Sequence, residues 1–207
     1  MEFGELNDLS IFHHFTVDEE IGSEFLTTKE LELISNRHFS KQMDFIRGRT
    51  CAKMALKKMG FSIAQLELMS EPDGQVSWPE GVVGSISHSK GLAGAIVGWK
   101  KDFQSLGIDI ELRNRVQTEI WNRLFTEFEQ EYLLQFPVEI QSEKATEIFS
   151  LKEAFYKFQW PITKIFLGMR DVEWQEHGFD TGIASKLPTY RHFTSMYNQH
   201  LISVIFG

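Results

Sequence analysis

Gly91 to Gly98 reads GLAGAIVG and His200 to Gly207 reads HLISVIFG. Each is a short apolar run that reads as a strand, and each closes a similar succession of signals. Before the first come helical patterns over Thr27 to Gly60, with candidate caps at Thr27 and Thr28, a break near Arg37 to Ser40 and Gly60 as the stop. A passage rich in Gly and Pro, EPDGQVSWPEGVVG at Glu71 to Gly84, then leads into strand signals at Val82 to Ser87, Leu92 to Trp99 and Leu106 to Glu111. Before the second run come helical stretches near Thr118 to Gln135 and Lys144 to Gln159 and a weak strand at Val172 to Trp174. Helices followed by strands, twice over, predict an α+β chain built as a duplicated unit. Half-domains 1–104 and 105–207 then form one domain, with a boundary near residues 100 to 105 where a pocket is expected.

Composition excludes several function classes. A formal net charge of −8 argues against a nucleic-acid surface, which needs clustered Lys and Arg in excess. Cys51 is the single cysteine, so an internal disulfide and a cysteine-rich zinc cage are excluded, and a reducing cytoplasmic setting is expected. The opening MEFGELNDLS has no basic segment followed by an apolar run, and no stretch approaches the roughly 20 apolar residues of a bilayer crossing. The 18 phenylalanines are read as core filling.

Four local patterns could carry chemistry. In Leu106-Gly107-Ile108-Asp109-Ile110-Glu111, strand alternation puts Gly107, Asp109 and Glu111 on one face, beside space left by the glycine. Two adjacent carboxylates repel, and a hard divalent cation such as magnesium relieves that repulsion; the alternative is a solvated polar face. In the helix around Phe149 to Phe158, Ile148, Leu151, Phe155 and Phe158 form an apolar stripe, with Glu153 and Lys157 opposite it. These two are either a surface ion pair or a third metal carboxylate and a phosphate contact. On Asp44 to Met59, Arg49 lies at the edge of the stripe of Phe45, Ala52, Leu56 and Met59. It either meets a phosphate or lets its head reach water. Finally, Gly84-Ser85-Ile86-Ser87-His88-Ser89-Lys90-Gly91 runs from a strand into a turn that could cradle an anion, with His88 as a donor, or be purely structural.

In this order, G-R-x-x-A-K-x-A-L (Gly48 to Leu56), W-P-x-G-x-x-G-S-x-S-H (Trp78 to His88), G-I-D-I-E (Gly107 to Glu111) and F-S-x-K-E-A-x-Y-K (Phe149 to Lys157) resemble the 4′-phosphopantetheinyl transferases, in their Sfp-type (enterobactin synthase component D-like) branch. The resemblance implies two similar half-domains in pseudo-twofold arrangement. It implies a monomer that moves the phosphopantetheine arm of coenzyme A to a serine of an apo acyl or peptidyl carrier protein, releasing adenosine 3′,5′-bisphosphate. It also implies Mg2+ on Asp109, Glu111 and Glu153, with Asp109 near the cofactor as well. Glu153, Lys157 and His88 take catalytic roles, and either Glu153 or a metal-bound water is the base. Cofactor contacts are Arg49 with its neighbour Lys53, Ser87, His88, Lys152 and Lys157, and more loosely Gly74 and Gln75. Gln75 departs from a Gly-Lys pair of some members, and Phe149 from a tryptophan. The alternatives are a phosphohydrolase, for which no Asp nucleophile motif is found, and a non-catalytic coenzyme A or carrier-binding protein of the same fold.

Overall fold

In a computed structural model, described for residues 6, 9–17 and 23–207, the chain folds as α+β. Most of the N-terminal stretch read for a targeting signal lies outside the described residues. Among the described residues no helix is long and apolar enough to cross a membrane. The chain divides into two compact units, one ending at Leu106 and one beginning at Gly107.

In the first unit, β1 (Phe12–Val17), β2 (Val82–Ser89) and β3 (Leu92–Trp99) form an antiparallel sheet in the order β1-β3-β2. Helices α1 (Thr28–Glu32) and α2 (Phe39–Lys58) precede the hairpin. In the second, β4 (Leu106–Leu112), β7 (Arg191–Tyr197) and β8 (His200–Phe206) form a sheet in the order β4-β8-β7. Between β4 and β7 run α3 (Trp121–Leu124), α4 (Glu127–Leu134), α5 (Val138–Thr163) and the hairpin of β5 (Val172–Gln175) and β6 (Gly178–Thr181). The two orders are alike: the last strand is central, flanked by the first strand and by its own hairpin partner. The runs GLAGAIVG and HLISVIFG are these central strands. Seven of eight residues of β3 and all seven of β8 are buried, which is why the runs are mostly apolar rather than alternating, with His200 and Ser203 the polar residues of β8.

Each unit has its own core beneath a long helix. Cys51, Ala52, Ala55 and Leu56 of α2 pack with Ala93, Ala95 and Val97 of β3. Leu151, Ala154, Phe155 and Phe158 of α5 pack with Val172, Phe179 and Ile205. Fully buried Phe155 and Phe158 each stabilise the fold by about 1.5–3 kcal/mol through burial alone. Cys51 lies within the first core, where burial pushes its thiol up to about 12, a structural and unreactive state.

Several elements differ from expectation. The helical stretch near Thr118 to Gln135 is broken at Phe125 and Thr126, because Thr126 caps α4. The helix expected from Lys144 begins at Val138, directly after Pro137, whose fixed φ suits a helix start. Strands β1, β6 and β7 carried no usable signal. β1 and β7 lie at sheet edges and are only partly buried, so polar residues such as His13, His14 and Ser195 interrupt them.

The glycine of the D-x-E strand also has another purpose than leaving open space. A Cβ on Gly107 would stand 2.1 Å from the Ala154 carbonyl oxygen and 2.9 Å from the Phe158 nitrogen. The backbone of α5 fills that volume, so the missing side chain is what seats the helix on β4. Gly107→Ala is expected to destabilise the protein by about 3 kcal/mol or more, since two backbones must separate. A urea denaturation midpoint close to that of the wild type would contradict this close packing.

Candidate functional site

Asp109 and Glu111 are both buried on β4, and α5 lies over the same strand through Gly107. Lys157, one turn beyond Glu153 on α5, donates from Nζ to Asp109 Oδ1 at 2.8 Å and to the Ile108 carbonyl at 3.0 Å. Arg115 donates from Nη1 to both carboxylate oxygens of Glu111, and this raises the pKa of its own guanidinium. Each strand acid is thus met by a cation. Glu153 is held above the usual carboxylate range first by burial, then by Asp109 and, more weakly, Glu111; Lys157 and Arg115 pull it back. The structure therefore brings Asp109, Glu111, Glu153 and Lys157 into one electrostatic cluster. Arg115, which the sequence reading missed, joins them; its only sequence signal is a position four residues after Glu111.

Among the described residues, no group of three or more His, Cys, Asp or Glu side chains stands close enough to hold a metal ion as placed. The donor chemistry nevertheless suits a hard cation. Asp109 and Glu111 add to the cost of ionising Glu153, carboxylate oxygens are the donors a hard cation prefers, and Lys157 and Arg115 balance part of the negative charge.

Two lysines read as cofactor contacts are placed elsewhere. Lys53 is fully buried, with Nζ 2.6 Å from Glu30 Oε2 and 2.8 Å from the Phe25 carbonyl. Lys152 is 2% exposed, with Nζ 2.7 and 2.9 Å from the Glu129 oxygens and 3.1 Å from the Leu124 carbonyl. Burial lowers the Lys152 pKa and Glu129 restores part of it. Neither ammonium reaches solvent, so neither meets a cofactor phosphate in this arrangement. An ammonium with a long apolar stem can be buried wherever a carboxylate waits for it, and helix periodicity does not reveal that partner.

These two clamps are the same device. In both, lysine and glutamate are 23 residues apart, and lysine and carbonyl 28. In both, the glutamate completes a capping box, with Thr27 or Thr126, and accepts a further backbone N–H, from Leu68 or Trp174. The sequence signal was T-x-x-E at Thr27 and Thr126, each followed 23 residues after its glutamate by lysine. Lys53 and Lys152 differ by 99 in number, and the same offset pairs Glu153 with Met54. The acid site thus belongs to one unit only.

The remaining candidates lie in the first unit. Arg49 is buried; its Nη2 donates to the Met69 carbonyl at 3.3 Å and Ser70 Oγ at 3.0 Å, and its guanidinium lies 4.7 Å from the Phe45 ring centroid. Burial lowers its pKa to about 10, and Nε has no hydrogen-bond partner. These hydrogen bonds are all to neutral groups, and the Glu30 carboxylate offsets only part of the cost of burying the charge. His88 is exposed at the end of β2, with Nδ1 3.8 Å from Asp44 Oδ1 of the helix that carries Arg49, and Ser87 beside it is buried. Exposed Gly74 (φ +86) and half-buried Gln75 form the tip of a turn closed by the Ser70–Val76 bridge, and Gln75 Nε2 donates to Asp73 Oδ2 at 2.6 Å.

Comparison with known proteins matches residues 29–98 to the 4′-phosphopantetheinyl transferase N-terminal domain and residues 105–204 to the 4′-phosphopantetheinyl transferase superfamily. The chain is 30% identical over 145 residues to 4′-phosphopantetheinyl transferase PptT of Mycobacterium tuberculosis, covering 70% of this chain and 62% of that protein. It is 32% identical over 143 residues to 4′-phosphopantetheinyl transferase Npt of Nocardia iowensis, covering 69% and 63%. The matched region thus spans less than two thirds of these relatives' length. A solved structure, Thermotoga maritima holo-[acyl-carrier-protein] synthase (AcpS), aligns over 49% of this chain and 61% of its own at 22% identity and TM-score 0.39, a likeness too low to bear on the fold.

The raised pKa of Glu153 sets a pH dependence. The folded protein keeps this proton to higher pH than the unfolded chain, so the group's stabilising contribution is complete below its ordinary 4.5 and is lost as pH rises through the folded value. Without divalent metal, Glu153→Gln should raise the melting temperature at pH 8 and leave it unchanged near pH 4. An equal shift at both would disprove that burial and the neighbouring acids hold Glu153 above its usual range.

Proposed function

The chain belongs to the 4′-phosphopantetheinyl transferase superfamily, and from that premise we propose that it transfers the 4′-phosphopantetheine of coenzyme A to a serine of an apo carrier protein. What supports this reading most is the cluster in which Glu153 is held above its usual range by burial and by Asp109 and Glu111, with Lys157 bonded to Asp109. Asp109, Glu111 and Glu153 would hold Mg2+, which supplies Lewis-acid polarisation of phosphate oxygens and neutralises charge on the leaving group.

The chain's own residues account for the rest. Lys157, anchored at Asp109 and the Ile108 carbonyl, presents a cation to the pyrophosphate. Arg49 offers a guanidinium whose charge is costly where it lies, so an anion brought to it is bound strongly. His88, on the exposed end of β2, is a further donor to phosphate. The serine oxygen forms a bond to the pantetheine-bearing phosphorus as the P–O bond to adenosine 3′,5′-bisphosphate breaks, and the leaving phosphate keeps the electron pair. Glu153, which burial and its acid neighbours hold above the usual carboxylate range when no cation is bound, accepts the serine proton. Catalysis is then positioning and electrostatics.

Incubation with Mg2+, coenzyme A and a panel of apo carrier proteins should add one phosphopantetheine to the carrier, read by mass spectrometry; no gain on any carrier sinks the proposal. Asp109→Asn should abolish transfer while unfolding remains cooperative. Arg49→Ala should raise KM for coenzyme A about 10-fold or more, the loss of roughly 1.5–3 kcal/mol in hydrogen bonds to a charged group, with kcat less affected.

A further inference from the structure

We propose that the buried Lys152–Glu129 pair is a positioning device that fixes the rotation of α5, so that Glu153 meets Asp109 and Glu111 in register. The inference rests on reading Glu153 as a metal-site carboxylate. Lys152 immediately precedes Glu153, so their side chains leave the helix about 100° apart and a rotation that moves one moves the other. Lys152 Nζ is held by three acceptors, both Glu129 oxygens and the Leu124 carbonyl. Glu129 is in turn fixed by two backbone N–H groups, Thr126 at 2.8 Å and Trp174 at 2.7 Å, which tie it to the start of α4 and to β5. Elsewhere on its circumference, α5 rests against Gly107 with no space to approach further, and Lys157 reaches Asp109. Glu153 lies between these restraints.

The geometry makes the restraint matter. Side-chain tips lie roughly 6 Å from a helix axis, so a rotation of about 10° carries a carboxylate about 1 Å. A site tolerates only about 0.5 Å before function falls, and a displacement of about 1 Å can cost roughly 100-fold. The first unit supplies an internal control. Lys53 and Glu30 form the same clamp on α2, but Met54 occupies the position corresponding to Glu153, so that clamp holds a helix without aiming a carboxylate.

The test compares the wild type with two double variants that replace each ion pair by neutral groups of similar volume, Lys152→Met with Glu129→Gln, and Lys53→Met with Glu30→Gln. Free Mn2+ is followed by electron paramagnetic resonance with coenzyme A present, beside urea midpoints and transfer kcat and KM. The first double variant should bind Mn2+ about 10- to 100-fold more weakly, with lower kcat. The second should keep wild-type Mn2+ affinity even where its urea midpoint falls as far. Should the first double variant not fold, Lys152→Arg serves in its place: it keeps the charge, but its planar head cannot occupy the Nζ position without shifting α5. Unchanged Mn2+ affinity in the Lys152 variant, or an equal loss from both clamps, overturns the inference while the metal reading stands. A wild type that binds no Mn2+ overturns the metal reading and the inference with it.

Discussion

An ammonium and a carboxylate removed from water cost several kcal/mol each, and only close geometry with every remaining hydrogen bond satisfied recovers that cost. This chain buries such a pair twice. Lys53 on Glu30 and Lys152 on Glu129 each join the middle of a long helix to a capping box and to a distant backbone N–H. Breaking one partner alone would leave a buried charge uncompensated, a loss of about 3–5 kcal/mol that few domains can spare. The position of each long helix on its sheet, and with it the position of every side chain the helix carries, depends on this pairing.

The acid site uses the same helix for the opposite purpose. Where the clamp satisfies its charges inside the fold, Asp109, Glu111 and Glu153 are placed so that their charges oppose one another, and Glu153 bears part of the cost as a raised pKa. Lys157 and Arg115 moderate that repulsion. Arg49 in the other unit shows the same tension with the sign reversed, a buried cation bonded to neutral groups.

Much of this was legible in residue order. The runs at Gly91 and His200 are strands because a central strand buried along its length is apolar at most positions, His200 and Ser203 being the polar ones in β8, and that pattern is local. The alternation of Gly107, Asp109 and Glu111, and the stripe of Ile148, Leu151, Phe155 and Phe158, are likewise set by backbone period, and all four stripe residues are buried. Edge strands β1 and β7 were not legible, since half-buried strands tolerate the polar residues that hide them. Helix periodicity does not separate a lysine bound for a phosphate from one bound for a buried carboxylate, and the structure pairs Lys53 with Glu30 and Lys152 with Glu129.

The sequence by itself determined the α+β class, the two central strands, the acids of β4 and the helix that bears Glu153, because each follows from hydrophobic period and local chain chemistry. Only the tertiary structure decided which charges are paired in a buried clamp and which gather in the acid cluster. It joined Lys152 to Glu129 across 23 residues, Lys157 to Asp109 across 48, and the backbone of α5 to Gly107. Those partners lie far apart along the chain, and the burial that makes their pairing obligatory exists only once the helices are seated on their sheets.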